Sequence, residues 1–280
     1  MPDDLERVQK ALRELGKSLK SLPKNPLPKA VHKLRTSARR VEAIAAAMSR
    51  RQNGKSRRLV KSIEPLRKTA GHVRDMDVLE ANLRRLSRDG SGDSLARLME
   101  HLRFVRTSEA LELRHALDRK SKKAKQELKQ FARDLQSAWP SNGSAAHAAG
   151  PARNGRHRNG VNPTARHVAS ELSDWPILDE QNLHHFRVKI KQLRYILQLD
   201  PKADPDFIAA LGSVQRRIGD WHDWQELAAM AREFLNSDHD KALLARIEAT
   251  KGNKLMRAKA AANALRREYL NSGLPRVLGC

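Results

Sequence analysis

The residues with the most chemistry in this sequence are a histidine and two cations at helical spacing, and they occur twice. His32, Arg35 and Arg39 form one set; His184, Arg187 and Lys191 form the other. At about 100° per residue, the three side chains of each set fall within about 60° of one another on one helix face. Arg offers paired donors to phosphate or carboxylate oxygens, and Lys a mobile point charge. A protonated histidine among them adds a further donor. The chemistry on offer is recognition of an anion with several oxygens. A structural reading stands beside it, in which each histidine is held neutral by an aspartate and ties two helices together.

A second matched segment follows each set. Gly71-His72-Val73-Arg74-Asp75 aligns with Gly219-Asp220-Trp221-His222-Asp223, and Lys68 aligns with Arg216 upstream. Arg194 lengthens the second cationic stripe, while Glu42 holds the corresponding place in the first copy. Arg57, Lys61 and Lys68 share one face of the next expected helix, opposite Leu59, Ile63, Leu66 and Ala70. Residues 50–68 hold eight basic side chains and one acidic one, Glu64, so charge signs are segregated where a solvated helix would intersperse them. Asp75 and Asp223 would repel phosphate. They are expected to orient a basic side chain or to cap a helix N-terminus.

These side chains need helices to position them, and the sequence supplies little else. Ala, Leu, Arg and Lys dominate, which predicts an all-α fold. Leu34, Ala38, Val41, Ala45 and Met48 oppose the first stripe, and Phe186, Ile190, Leu193 and Leu197 oppose the second, so each helix pairs a core face with a cationic face. Helices are expected near 4–20, 28–49, 55–72, 75–88 and 94–138. In the second half they are expected near 164–173, 179–199, 204–218, 221–236 and 239–271. Residues 139–165 carry four glycines, three prolines and no acid, and break the pattern. The expected organisation is a helical bundle over 1–138, a flexible basic linker over 139–163 and a second bundle over 164–280, the two related by an internal repeat. Arg153, Arg156 and Arg158 are expected to be mobile cations of the linker. The ladder Leu117, Ala124, Leu128, Phe131, Leu135 reads as core, and the basic run from Arg119 to Lys129 as a solvated face.

Charge narrows the partner. The chain has 55 Lys and Arg against 32 Asp and Glu, a net +23 that a polyanion would compensate. Nucleic acid is the alternative partner, but aromatic residues make up only 4% and offer few stacking platforms. Trp221 and Trp224 flank His222 and read as core rather than as such platforms. The lone cysteine, Cys280, excludes an internal disulfide and a cysteine zinc site. No catalytic centre, metal set or cofactor motif is expected from the scattered histidines and the missing glycine-rich phosphate loop. The polar start and the lack of a long apolar run predict a cytoplasmic protein without a membrane partner.

The matched segments resemble the CHAD family, the conserved histidine α-helical domain. The resemblance is carried by His32-Lys33-Leu34-Arg35 with Arg39-Arg40, by Arg74-Asp75-Met76-Asp77-Val78, and by His184, Arg187, Lys191 and Leu193-Arg194-Tyr195. It implies two helical bundles about a pseudo-twofold axis and a basic groove, formed by both halves, that binds inorganic polyphosphate. It also implies an association with polyphosphate granules. The residues expected to contact the ligand are His32, Arg35, Arg39, Arg40, Arg57, Lys61, Lys68, His184, Arg187, Lys191, Arg194 and Arg216. Binding without catalysis is the expected function, and protein partners are left unassigned.

Overall fold

The computed structural model describes residues 2–23, 25–47, 53–86, 92–138, 163–198 and 203–271. The expected linker over 139–163 lies outside the described residues except for Pro163, which opens a helix, and Met48 and Cys280 also lie outside. Among the described residues there are eight α-helices and no strand, so the fold is all-α. The chain divides into two compact units, Met1–Ala146 and His147–Cys280.

The first unit contains α1 (Pro2–Ser21), α2 (Pro28–Ala47), α3 (Asn53–Leu86) and α4 (Gly92–Ala138). Each packs on the next, and α4 returns to α1, which closes a four-helix ring. Its core is the apolar face read from the sequence: Leu34, Ala38, Val41 and Ala45 from α2, and Leu59, Ile63, Leu66 and Ala70 from α3, all buried. Leu117, Ala124, Leu128, Phe131 and Leu135 complete it from α4. One polar contact inside this unit is centred on a buried carboxylate. Arg106 on α4 pairs with Asp77 on α3 at 2.7 Å and donates to the Pro26 carbonyl at 2.6 Å, fixing the α1–α2 connection to the α3–α4 pair.

The second unit contains α5 (Pro163–Ser173), α6 (Leu183–Leu197), α7 (Pro205–Phe234) and α8 (Lys241–Leu265), the last continued by a π-helical turn, Arg266–Asn271. The order of neighbours is the same: α5 on α6, α6 on α7, α7 on α8, and the π turn back on α5. Phe186, Ile190, Leu193 and Leu197 are buried as expected, with Phe207, Ile218 and Trp221. Local chemistry sets the helix starts. Asp204 accepts from the Asp206 amide at 2.8 Å ahead of Pro205. Ser237 and Asp240 form a capping box over a short 3-10 turn.

Two expected breaks are absent. The helices expected over 55–72 and 75–88 are one helix, α3, and those over 204–218 and 221–236 are one helix, α7. A glycine inside a helix costs about 1 kcal/mol relative to alanine, which flanking burial offsets. Ala70 and Val73 around Gly71, and Ile218 and Trp221 around Gly219, are buried in the bundle cores. A third expectation moves: α6 starts at Leu183, not near 179. The Asp179 carboxylate accepts from the Gln181 and Asn182 amides at 2.9 Å each, and this local turn competes with helix.

Candidate functional site: cationic seams on paired helices

In the first unit the α2–α3 seam gathers His32, Arg35 and Arg39 from α2 and Arg67, Arg74 and Asp75 from α3. α2 and α3 run antiparallel, so Arg35 reaches Gly71 while Glu42, two turns on, reaches Arg67. The Arg35 Nε stands 3.6 Å from where a Cβ on Gly71 would lie. The guanidinium therefore lies against the α3 surface at ordinary contact distance. Arg67 Nε meets the Glu42 carboxylate at 2.7 Å.

The electrostatics are those of cations crowding one another. Partial burial pushes the Arg35 pKa below its ordinary value, Arg39 adds to the push, Asp75 opposes it, and Arg67 and Arg74 lower it again. Burial, then Arg74 and Arg35, lower the pKa of His32. His32 is therefore neutral near pH 7 and protonates more readily once an anion cancels its neighbours. Asp75 sits inside the continuous α3 and Asp223 inside α7, so the helix-capping reading of both is overturned. Asp75 instead acts as the counter-charge to Arg35.

The α6–α7 seam of the second unit has the same frame. The Arg187 Nη2 stands 3.3 Å from a Cβ position on Gly219, and its Nε donates to the Gln215 carbonyl at 3.3 Å. Two turns along α6, the Arg194 guanidinium lies 3.4 Å from a Cβ position on Gly212, itself two turns along α7. Arg194 Nη1 donates to the Gln215 side chain at 3.3 Å, while its Nε is buried without a partner. Arg216 Nη1 is 3.6 Å from the same Gly212 position. His184 lies 5.6 Å from His222 and 6.1 Å from His185 between ring centres. Burial, then His222, Arg187 and His185, lower its pKa. His222 faces Glu226 at 3.9 Å, and Lys191 sits 5.7 Å over the Tyr195 ring.

The sequence-derived residues do not form one cluster. His32, Arg35 and Arg39 share the α2–α3 seam, and His184, Arg187, Arg194 and Arg216 the α6–α7 seam. Arg40 turns to α1, where it meets Glu14 at 2.9 Å. Lys68 pairs with Glu64 one turn back at 2.9 Å. Lys61 lines a depression of about 320 Å³ with Arg58, Lys120 and Lys123, and Arg57 is exposed on the same helix. Arg67, His185 and Gln215 were missed as contributors. Arg67 and Gln215 stand four residues before Gly71 and Gly219, one helical turn away on the same face, a signal the sequence carried. Trp221 and Trp224 are core, as read, at 1% and 2% exposure.

A family model described as CHAD domain matches residues 6–236. No curated protein and no solved structure matches the chain. Among the described residues, no helix is long and apolar enough to cross a membrane.

Proposed function

The chain belongs to the CHAD domain family, and from that premise we propose that it binds inorganic polyphosphate without cleaving it, each cationic seam engaging its own run of phosphates. The observation that carries this reading is the repeated Arg-on-Gly contact, Arg35 at Gly71 and Arg187 at Gly219. In both units an arginine is laid along a helix surface with further cations around it, and the planar fork of a guanidinium matches phosphate oxygens. Burial first, and neighbouring cations after it, disfavour the charged forms of Arg35 and His32, and an anion in the seam would offset both.

The matched seams support reading the two units as an internal repeat, and the family's association with polyphosphate supports the choice of anion. Burial of Trp221 and Trp224 removes the most obvious base-stacking platforms and favours polyphosphate over single-stranded nucleic acid. On this reading the protein collects at polyphosphate granules in the cytoplasm.

The test is a competition titration at fixed salt, with labelled long-chain polyphosphate challenged by duplex DNA, single-stranded RNA and short phosphates. Polyphosphate should resist displacement at matched phosphate concentration. Replacing Arg35, Arg39, Arg187 and Lys191 by Ala should weaken binding and flatten its salt dependence by about one log–log unit per lost phosphate contact, by analogy with nucleic-acid binding. Ready displacement by DNA or RNA would make the chain a general polyanion binder. Unchanged affinity in the quadruple variant would remove the seams as the site. Shortening of the polymer in the presence of Mg²⁺ would overturn the non-catalytic part.

A further inference from the structure

The first unit carries a second cationic groove, in a different place and with different chemistry. Its helices are neighbours in the order α1, α2, α3, α4 and back to α1. The α1–α4 seam is therefore on the opposite side of the ring from the α2–α3 seam that holds Arg35 and Gly71. Along it runs a groove of about 600 Å³, open to solvent. Its floor is apolar, made by Leu12 and Gly16 of α1 and by Leu128 and Ala132 of α4. Its rims are cationic, with Arg13 and Lys20 on one side and Lys125, Lys129 and Arg133 on the other. Among the described residues, no acidic side chain lines it. Lys122 extends the α4 rim into an adjoining depression.

We propose that this groove docks an acidic amphipathic helix of a partner protein. Two properties select that occupant. The first is pitch. Leu12 and Gly16 are four residues apart, as are Leu128 and Ala132, and Lys125, Lys129 and Arg133 continue at the same interval. Floor and rim therefore repeat about every 6 Å, the repeat a third helix presents when it packs between two others. An acyl chain has no repeat to register, and a bare phosphate chain gains nothing from an apolar floor. The second is composition. A helix with apolar residues at i and i+4, flanked by Glu or Asp, buries its stripe on the floor and sets its acids against the rims. Gly16 faces open space, where a Cβ would meet no atom within 4 Å, and with no side chain of its own it leaves the floor low for that helix. With the α2–α3 seam facing away, the first unit can hold an anion on one side and an acidic protein on the other.

The test uses the full-length chain and a labelled, roughly 15-residue peptide, long enough to span the groove. It has Leu at i and i+4 positions flanked by Glu, and is compared with a scrambled peptide of the same composition. The patterned peptide should bind about ten-fold or more tightly than the scrambled one, a difference near 1.4 kcal/mol. A photo-crosslinker at its centre should label α1 between Gln9 and Lys20 and α4 between Lys125 and Gln136. Lys129→Glu with Arg133→Glu should abolish binding. Gly16→Leu, which fills the floor in a helix-favouring way, should abolish it while raising the thermal midpoint. Saturating polyphosphate should leave peptide affinity unchanged, and both variants should keep polyphosphate affinity, so this inference and the polyphosphate reading fail separately. Equal binding of the scrambled peptide, crosslinks confined to α2 and α3, displacement by polyphosphate, or tighter capture of anionic phospholipid vesicles through the same residues would each overturn it.

Discussion

Arg187 lies across Gly219 on the neighbouring helix, its Nη2 3.3 Å from where a side-chain carbon would begin. Arg35 makes the same approach to Gly71 at 3.6 Å, an ordinary contact. A side-chain carbon would fit beside Arg35 and would be tight beside Arg187.

That difference gives the first prediction. Alanine in a helix interior is favoured over glycine by about 1 kcal/mol. Gly71→Ala should raise thermal stability by roughly that amount and leave polyphosphate affinity unchanged. Gly219→Ala should gain less stability and lose affinity, because the Arg187 guanidinium must shift by a few tenths of an ångström. Thermal denaturation read beside a binding titration separates the two; equal affinities would show that Arg187 does not depend on its glycine.

Glu42 and Arg67 form the second case. The alignment that pairs Arg35 with Arg187 pairs Glu42 with Arg194, and the one that pairs Gly71 with Gly219 pairs Arg67 with Gln215. The same two positions thus touch in both units, as Glu42–Arg67 at 2.7 Å and as Arg194–Gln215 at 3.3 Å. Glu42→Gln removes an acid from the first seam and releases Arg67 to the ligand. Polyphosphate affinity should rise, while stability falls by about 1 kcal/mol or less for a partly exposed pair. A drop in affinity in the titration would mean that Glu42 positions Arg67 for binding.

Histidine protonation gives the third. The pKa values of His32 and His184 lie below the ordinary 6.5, so the unfolded chain takes up these protons first. Without ligand, stability should fall as pH drops below about 6.5 and through the lowered folded values. A bound anion favours the charged imidazole, so polyphosphate affinity should rise over the same interval. Affinity measured from pH 8 to pH 5.5 should show this rise, and His32→Gln with His184→Gln should flatten it. A flat profile in the unaltered chain would leave the imidazoles outside the ligand's field.

The Arg106–Asp77 pair gives the fourth. Asp77 is 6% exposed, and its second carboxylate oxygen has no hydrogen-bond partner among the described residues. Removing Arg106 leaves a buried charge uncompensated, which typically costs about 3–5 kcal/mol. Arg106→Ala should lower the urea midpoint strongly, and Asp77→Asn added to it should recover part of the loss. No recovery would place the cost in the lost contact to the Pro26 carbonyl.

The sequence by itself determined the helical class and the apolar face of each helix, because these follow from spacing along one chain segment. Leu34, Ala38, Val41 and Ala45 had to share a side whatever they packed against, and they are core. The repeated His, Arg, Gly and Asp positions were legible for the same reason. Helix continuity through Gly71 and Gly219 was not. Local propensity weighs a glycine against its neighbours, whereas burial of Val73 and Trp221 by other helices decided it. Nor could the sequence say which cation meets which acid. Arg39 and Arg40 are adjacent in the chain, yet Arg39 faces the seam and Arg40 reaches Glu14 on α1. The groove between α1 and α4 came only from tertiary structure, since its two rims lie more than a hundred residues apart and meet when the four-helix ring closes.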